Sequence, residues 1–273
     1  MKKKVLFKNS LSVALVLLLM SACNNRPVQT ISKKINDVND IQEIDSLVKP
    51  YDYTSVISLA DLPVDEKKQK FVAMILPAIL VVRAELKHTQ NEVKALIAND
   101  TSTLSNDDKL FLNKLLKKYK SESFDQLLSK LNTHPNSIVL AQSAVESGWG
   151  TSRFFLEAKN IFGVWSFNEK DDRIIANSDR DGKYTYLKKY SSLSKSIEDY
   201  FFTISNGPYS DFRRQRSKVK NPYILVKDLE NYSELRGEYV KKLQLVIKVN
   251  DFTKYDNYQI DPKYLNKDKL SIE

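Results

Sequence analysis

The stretch "SIVLAQSAVESGWGTSRFFLEAKNIFGVWSF", residues 137–167, decides the fold prediction. An apolar stripe runs through its first eleven residues at helical spacing, at Ile138, Ala141 and Val145. Gly148 then offers the left-handed position at which helices commonly end. The stretch therefore predicts a helix over 137–147 whose stripe faces the core and whose last turn carries Glu146.

Glu146 lies off that stripe, on a face that it shares with Gln142 and Ser143. A polar face of this kind is suited to line a wet cleft. A carboxylate at a helix C-terminus meets the negative end of the helix dipole, and apolar Trp149 follows closely, so we expect a raised pKa for Glu146. A raised pKa suits a general acid at neutral pH, although the spacing alone equally fits a solvated glutamate at a helix end.

The composition removes most rival site chemistries. The chain of 273 residues has two histidines, His88 and His134, and one cysteine, Cys23. This leaves almost no room for a zinc site or a Cys–His pair, and a Ser–His–Asp triad would have to use one of those two histidines. Six glycines form no phosphate-binding loop. Carboxylate, tyrosine and hydroxyl chemistry remains, and we expect neither a metal nor a cofactor.

The first residues resemble an export signal. Basic residues precede an apolar run from Leu11 to Met20, which is too short to span a bilayer. The sequence "LMSAC", 19–23, resembles a bacterial lipobox, which implies removal of residues 1–22 and attachment of lipid to Cys23. An ordinary signal peptide with an incidental cysteine is the alternative. Asn24 is not the aspartate of inner-membrane retention signals, so we expect a lipid anchor in a bacterial cell envelope, in the outer membrane rather than the inner.

The charge indicates the kind of partner. Removing residues 1–22 removes four lysines and no acid, so the formal net charge falls from +9 to +5 (9 − 4). A basic exported protein suits an anionic cell wall or phospholipid surface. No basic arm with interleaved aromatic residues is present, so nucleic acid is not expected as a partner.

Polarity divides the chain near residue 60. Residues 23–60 lack a sustained apolar face and are predicted to be a polar tether, whereas residues 61–273 are predicted to form one domain. A largely buried helix kinked at Pro77 is expected to open that domain. Further helices are predicted over 106–120, 123–131, 192–204, 223–229 and 233–250. The segments "IFGVWSF", 161–167, and "KYTYLKKY", 183–190, predict the two strands of a small antiparallel hairpin. The expected fold class is mostly α (α+β), with one small β-hairpin.

The opening stretch resembles the signature of the bacterial glucosaminidases of glycoside hydrolase family 73. The matching positions are Ala141-Gln142, Glu146-Ser147-Gly148-Trp149-Gly150, Ser152 and Asn160-Ile161-Phe162-Gly163. From about residue 62 to 257 the chain is similar to the Bax-type branch of these enzymes. The resemblance implies a lysozyme-like helical domain with Bax-type extensions. It also implies hydrolysis of the β-1,4 bond after N-acetylglucosamine in peptidoglycan glycan strands, with Glu146 as the general acid.

The resemblance also points to a tyrosine. Family members carry one after a helix and a turn, and "EDYFFTISNGPYSDFR", 198–213, matches that pattern at Tyr209. Its hydroxyl is expected to position a water molecule or the N-acetyl group of the sugar. A packed aromatic ring is the alternative.

No recognisable motif marks a second catalytic carboxylate in the sequence. Glycosidases usually use two, and relatives often place an acid in the hairpin. The hairpin region here offers five acids, Glu169, Asp171, Asp172, Asp179 and Asp181. Asp181 is our candidate among them. The alternative is that the acetamide oxygen of the substrate attacks the anomeric carbon itself.

Other motif residues are candidates for substrate binding. Trp149, Phe162 and Trp165 are candidates for stacking on sugar rings, with core packing as the alternative for the first two. Gln142, Ser152 and Asn160 are candidates for hydrogen bonds to acetamides. Asn160 has the alternative of bracing the loop that carries Gly163.

Two other functions compete with the glucosaminidase. A lytic transglycosylase shares the fold and a single glutamate but cleaves the muramyl bond. A non-catalytic peptidoglycan-binding lipoprotein would keep the cleft for docking, and the missing second acid favours it. In each case we expect a monomer that binds glycan strands and is held to the membrane by its N-terminal lipid.

Overall fold

The computed structural model describes residues 27–98, 100–180 and 183–266. Within these ranges the chain forms nine α-helices: α1 (Val64–Ile97), α2 (Asn106–Lys118), α3 (Phe124–Leu131), α4 (Asn136–Ser147), α5 (Arg153–Ala158), α6 (Leu193–Asn206), α7 (Ser210–Arg216), α8 (Pro222–Leu225) and α9 (Gly237–Val249). Short 3₁₀ helices cover Val38–Asp40, Thr101–Thr103, Val226–Tyr232, Phe252–Asn257 and Pro262–Tyr264. The predicted signal segment, Cys23 and Asp181 lie outside the described residues.

Helix α1 is the centre of the fold. Every residue from Phe71 to Val82 is buried, because this segment is apolar on all sides and helices α3, α4 and α6 pack around it. The helix begins after Pro63, without a side-chain cap, and it continues through Pro77 rather than ending there. This helix sets the position of α4, which carries Glu146.

Six short strands form three two-stranded sheets within the described residues. Strands β1 (Ile31–Lys33) and β3 (Tyr51–Tyr53) pair in parallel, as do β2 (Leu47–Val48) and β6 (Gln259–Ile260). Strands β4 (Arg173–Arg180) and β5 (Lys183–Lys188) form the antiparallel hairpin, with Arg173 opposite Lys188. The mostly α class with one small antiparallel hairpin is confirmed, and the two parallel pairs were not predicted.

The first strand of the hairpin is not where the sequence predicts it. The segment 161–167 is not a strand and makes only an isolated bridge, from Trp165 to Leu187. Strand β4 lies instead in the polar segment that the sequence assigns to the turn. The segment 161–167 is held by hydrogen bonds between the side chain of Asn160 and the backbone of Val164. Two backbone bonds also join it to β5, from the amide of Ser166 to the carbonyl of Tyr186 at 2.8 Å and from the amide of Lys188 to the carbonyl of Val164 at 3.0 Å.

The prediction of a tether is wrong over its described part, residues 27–60. This segment adds to the main core, because buried apolar residues recur along it, among them Val28, Tyr53 and Leu59. Asp52 also accepts hydrogen bonds from the amide and the hydroxyl of Ser194, at 3.1 and 2.8 Å, which ties β3 to the start of α6. The segment is therefore part of the folded domain.

Among the described residues, no helix is both long enough and apolar enough to cross a membrane. Helix α1 has the length, but charged residues interrupt its apolar part at Arg83 and beyond. Arg83 instead donates a hydrogen bond to Asn136 at the start of α4. The apolar run of α1 thus serves the protein core.

Candidate active site

The last turn of α4 and the tight turn after it place Glu146. Gly148 ends the helix in the left-handed conformation, with φ of 58°, and Gly150 follows with φ of 78°. A Cβ at Gly150 would lie 3.2 Å from the ring of Phe71 and 3.3 Å from that of Phe155, so both the conformation and the close packing require glycine there. Ser147 supports the turn, since its hydroxyl donates to the carbonyl of Ser143 and accepts from the amide of Gly150.

Glu146 is half-buried and hydrogen-bonded. The hydroxyl of Tyr239, on α9, donates to its Oε1 at 2.7 Å. Burial raises the pKa of Glu146 above its ordinary value, while the bond from Tyr239 and the positive charge of Lys242 oppose that rise. A carboxyl group with a raised pKa stays protonated closer to neutral pH, which is the requirement for a proton donor.

A chain of buried hydrogen bonds stands behind Glu146. Gln142 donates from Nε2 to the hydroxyl of Tyr239 at 3.1 Å, and its Oε1 accepts from the hydroxyl of Tyr200 at 2.6 Å. His134 Nε2 lies 2.9 Å from the same hydroxyl of Tyr200. Because Tyr200 gives its only proton to Gln142, the nitrogen of His134 that carries hydrogen is Nε2. Burial and the charges of Arg216 and Arg83 hold the pKa of His134 well below its ordinary value, so its ring is neutral.

This chain corrects the prediction for Gln142. Its side chain is fully buried and both atoms of its amide are occupied, so it does not line a wet cleft or reach a sugar acetamide. Ser143 is buried as well and donates to the carbonyl of Val139. Gln142 instead fixes the hydroxyl that holds Glu146.

A cleft of about 570 Å³ opens in front of Glu146. Four of the residues predicted for the site line it with Glu146, namely Phe162, Gly163, Trp165 and Tyr209. Phe162 is buried with its ring stacked on Tyr200 at 4.3 Å, whereas Trp165 is 48% exposed. The ring of Trp165 is therefore accessible to a ligand in the cleft, whereas the ring of Phe162 is used mainly for packing on Tyr200.

Two other predicted residues, Trp149 and Ser152, lie in supporting positions. Trp149 packs its ring on Phe71 and Phe252, at 5.5 and 6.0 Å, and is not among the residues that line the cleft. Ser152 caps α5 by accepting from the amide of Phe155. Trp149 therefore packs on the core and Ser152 caps a helix, and neither is among the residues that line the cleft. The expected contacts of both with sugar stay predictions.

Asn160 braces the loop that carries Gly163. Its Oδ1 accepts from the amide of Val164 at 2.9 Å, and its Nδ2 donates to the carbonyls of Val164 and Lys188 at 3.0 and 2.9 Å. All its hydrogen-bonding groups are thus used inside the protein, so the bracing alternative is confirmed and the acetamide contact is wrong. The bond to Lys188 also ties this loop to β5.

A known protein family matches the part of the chain that carries this site. The glucosaminidase family model, described as mannosyl-glycoprotein endo-beta-N-acetylglucosaminidase, matches residues 121–269. The chain belongs to this glucosaminidase family. The matched range contains Glu146, its partner Tyr239 and the whole lining of the cleft.

Several proteins are similar over part of the glucosaminidase. Protein Bax of Escherichia coli K12 is 24% identical over 163 residues, which are 56% of this chain and 57% of Bax. The exo-glucosaminidase LytG of Bacillus subtilis is 27% identical over 149 residues, 48% of this chain and 49% of LytG. The peptidoglycan hydrolase FlgJ of Escherichia coli K12 is 28% identical over 158 residues, 54% of this chain and 49% of FlgJ. The chain spans about half the length of these relatives.

Among solved structures, the catalytic domain of the autolysin Auto from Listeria monocytogenes is similar. The two are 24% identical, the match covers 61% of this chain and 96% of that one, and the TM-score is 0.36.

Two tyrosines of the glucosaminidase site were missed by sequence reasoning. Tyr239 holds Glu146, and Tyr232 stacks on Tyr239 with ring centroids 5.8 Å apart and lines the cleft. Tyr209 lies 6.0 Å from Tyr232 and completes a row of three rings beside Glu146. The pKa of Tyr209 is raised by burial and by the negative charge of Glu146, so its hydroxyl remains a neutral hydrogen-bonding group.

Of the hairpin-region acids whose side chains the structure describes, Glu169, Asp171 and Asp172 do not line the cleft of Glu146. Asp171 accepts from the hydroxyl of Ser166, and both Asp171 and Asp172 line a neighbouring cavity. The only acids that the cleft lining includes among the described residues are Glu146 and Asp199, on α6. Asp199 Oδ2 accepts from Lys188 Nζ at 2.8 Å and from the hydroxyl of Tyr190 at 2.7 Å. Sequence reasoning searched the hairpin and so missed this residue on a helix.

The described residues offer no group of three or more His, Cys, Asp or Glu side chains that could hold a metal ion.

Proposed function

We propose that the protein hydrolyses the β-1,4 bond after N-acetylglucosamine in peptidoglycan glycan strands, with Glu146 as the general acid. The observation that carries the proposal is the half-buried carboxyl group of Glu146, which has a raised pKa, a single tyrosine donor and an open cleft in front of it. Family membership supports the reaction class. The names of two relatives, peptidoglycan hydrolase FlgJ and exo-glucosaminidase LytG, support the polymer and the bond.

The cleft supports the binding of a glycan strand. Trp165 is 48% exposed and Phe167 is 91% exposed, and both line the cleft. Exposed aromatic faces of this kind suit the apolar faces of sugar rings. The two rings and Glu146 line the same cleft, so a strand that lies on the rings passes the acid.

The group that completes the reaction has two candidates. The first is the acetamide oxygen of the substrate, which replaces a protein nucleophile when no second carboxylate stands close to the acid. The second is a protein carboxylate, for which Asp181 is the candidate from sequence and Asp199 the one that lines the cleft. Asp199 accepts hydrogen bonds from Lys188 and Tyr190, which fix its carboxylate at the wall of the cleft. Tyr209 is proposed to hold the acetamide or a water beside Glu146.

Product analysis tests the proposal. Purified sacculi are digested, the new ends are reduced with borohydride, and the sugars are identified by mass spectrometry. New reducing-end N-acetylglucosamine is the expected product. Anhydromuramyl ends would make the protein a lytic transglycosylase, and binding of sacculi without any new ends would make it a docking protein.

We further propose that lipid on Cys23 holds the protein in the bacterial cell envelope, in the outer membrane. The lipobox-like sequence "LMSAC", 19–23, supports this. Radiolabelled palmitate is expected to enter the wild-type protein and not Cys23→Ser, and membrane fractionation then locates the labelled protein. Unlabelled wild-type protein in the soluble fraction would contradict the anchor.

A further inference from the structure

A second cavity lies beside the cleft of Glu146. Its volume is about 410 Å³, within the range of roughly 300–1,000 Å³ that is usual for ligand sites. Three residues line both cavities, namely Lys188, Asp199 and Phe202. The two spaces are therefore neighbours, and a ligand attached to a strand in the cleft reaches the second cavity across these three side chains. We call this second space the side cavity.

The side cavity is lined by charges of both signs. Its lining includes four lysines and four acids: Lys118, Lys188, Lys189, Lys195, Asp171, Asp172, Glu198 and Asp199. A strand without its peptides carries at most the lactyl carboxylate of each muramyl sugar and no ammonium group, so it gives the acids of this lining nothing of opposite charge to bind. The lining instead matches a ligand that has both carboxylate and ammonium groups.

Part of this charge is already neutralised inside the protein. Asp199 pairs with Lys188 at 2.8 Å, and Glu198 pairs with Lys195 at 2.7 Å and with Lys118 at 3.8 Å. These pairs order the wall of the side cavity that α6 provides. They also fix the side chain of Asp199, whose Oδ2 accepts both of its hydrogen bonds while its Oδ1 accepts none from the described residues.

Three charged residues of the lining have no ion-pair partner among the described residues: Asp171, which accepts from the hydroxyl of Ser166, and the oppositely charged Lys189 and Asp172. The side chains of Lys189 and Asp172 form no hydrogen bond or ion pair with the residues that the structure describes, and both are exposed. Their backbones are joined, since the amide of Lys189 donates to the carbonyl of Asp172 at 2.8 Å. The ammonium and the carboxylate are thus held on one stretch of wall, at the base of the hairpin.

We propose that the side cavity binds the short peptide carried by the muramyl sugar next to the scissile bond. Every second sugar of a peptidoglycan strand carries such a peptide, with free carboxylate groups and commonly a free amine. Lys189 receives a carboxylate of the peptide and Asp172 receives an ammonium group, while Tyr119 and Phe202 contact its side chains. The inference rests on the proposed function in one respect, that the strand in the cleft is peptidoglycan.

The test compares two soluble preparations of glycan strands. One retains the peptides, and the other has lost them to an amidase. The wild type is expected to cleave the peptide-bearing strands with a kcat/KM about tenfold or more above that for the bare strands. In Lys189→Gln combined with Asp172→Asn, this ratio is expected to fall towards one. Lys227→Gln, an exposed lysine outside both cavities, is the matched control and keeps the wild-type ratio.

Direct binding separates this inference from the proposed function. Calorimetry measures the binding of N-acetylmuramyl-tetrapeptide to Glu146→Gln, and to the same protein with the Lys189→Gln and Asp172→Asn changes. At least a fivefold weaker affinity is expected in the second protein, with unchanged melting temperature as the check on folding. If the wild type cleaves no strand while this difference in binding persists, the proposed function fails and the peptide site stands. Equal cleavage of both strand preparations by the wild type, or binding that ignores Lys189 and Asp172, overturns the peptide site alone.

Discussion

The hydroxyl of Tyr239 donates a hydrogen bond of 2.7 Å to Oε1 of Glu146, although the two residues are 93 positions apart in the chain. The same hydroxyl accepts from Gln142, which in turn accepts from Tyr200. The acid is therefore held by a buried chain that runs back into the core rather than by its neighbours in sequence. Both the orientation and the proton affinity of Glu146 depend on this chain.

Glu146→Gln is expected to lower kcat on sacculi by about 10²–10⁴-fold, because an amide has no proton to give to the leaving oxygen. The fold is expected to remain, since Gln keeps the oxygen that accepts from Tyr239. Release of reducing ends gives the rate and circular dichroism checks the fold. Glu157→Gln is the control, because Glu157 is exposed and pairs with Arg153 on α5. A variant Glu146→Gln that digests sacculi at the wild-type rate would remove Glu146 from the mechanism.

The same substitution is expected to change how stability depends on pH. A carboxyl group whose folded pKa is raised stabilises the fold fully below its unfolded pKa, and this contribution is lost as pH rises through the folded pKa. Burial raises the pKa of Glu146 in this way, and Gln carries no such penalty. The free energy of unfolding of Glu146→Gln minus that of wild type should therefore be larger at pH 8 than at pH 4, because only the wild type loses stability as pH rises. Urea unfolding at both values measures it, and a difference that stays constant or reverses would contradict the raised pKa.

Tyr239→Phe is expected to move the basic limb of the pH–rate profile to higher pH. The bond from Tyr239 favours the ionised form of Glu146, so its loss raises the pKa of Glu146 further, and the protonated acid survives to higher pH. Gln142 also loses its acceptor, which costs about 1–3 kcal/mol of stability. The control is Tyr232→Phe, because Tyr232 stacks on Tyr239 but gives no hydrogen bond to Glu146. If the basic limbs of Tyr239→Phe and Tyr232→Phe lie at the same pH, the hydrogen bond from Tyr239 does not set the pKa of Glu146.

The two tryptophans of the chain should separate packing from substrate binding. Trp165→Ala is expected to raise KM roughly two- to tenfold, the equivalent of ~0.5–1.5 kcal/mol of stacking, with little change in melting temperature because the ring is 48% exposed. Trp149→Ala should lower the melting temperature and change KM little, since its ring packs on Phe71 and Phe252. Its loss of stability should lie at or just below the ~3–5 kcal/mol of a fully buried aromatic residue. Kinetics and thermal unfolding of both variants decide, and a stable Trp149→Ala with a raised KM would return Trp149 to the substrate site.

The local parts of the site were open to prediction from sequence, and the long-range parts were not. Helix α4, its glycine stop and the exclusion of Glu146 from the core stripe all follow from the period of 3.6 residues and from Gly148. The donor to Glu146, Tyr239, comes from α9, and Tyr200, which donates to Gln142, comes from α6. Nothing in the sequence of α9 marks one tyrosine among the fourteen of the chain as the donor. The polar face through Gln142 was predicted to line a wet cleft, because a pattern of polar residues does not show whether they will find hydrogen-bond partners inside the core.

The predictions for the first strand of the hairpin and for the N-terminal segment were wrong for a related reason. Strand β4 carries Asn and Asp at positions that usually favour turns, so its pairing with β5 overrides its local preference. In residues 27–60 the apolar residues are too widely spaced to give a period of either kind. They are buried only because α1 and α6 supply the opposite surface.

That last point gives a prediction on the N-terminal segment. Tyr53→Ala is expected to lower the free energy of unfolding by about 3–5 kcal/mol, because the ring is fully buried in the main core and its hydroxyl accepts from the amide of Gln42. Leu47→Ala is the matched control from the same segment, since Leu47 is 53% exposed and its loss should cost less than about 0.5 kcal/mol. Urea unfolding of the two variants measures both values. If the segment were a flexible tether, neither substitution would change the free energy of unfolding. If it belongs to the core, only Tyr53→Ala lowers it. In that case removal of residues 27–60 is also expected to destabilise helix α1, on which the position of Glu146 depends.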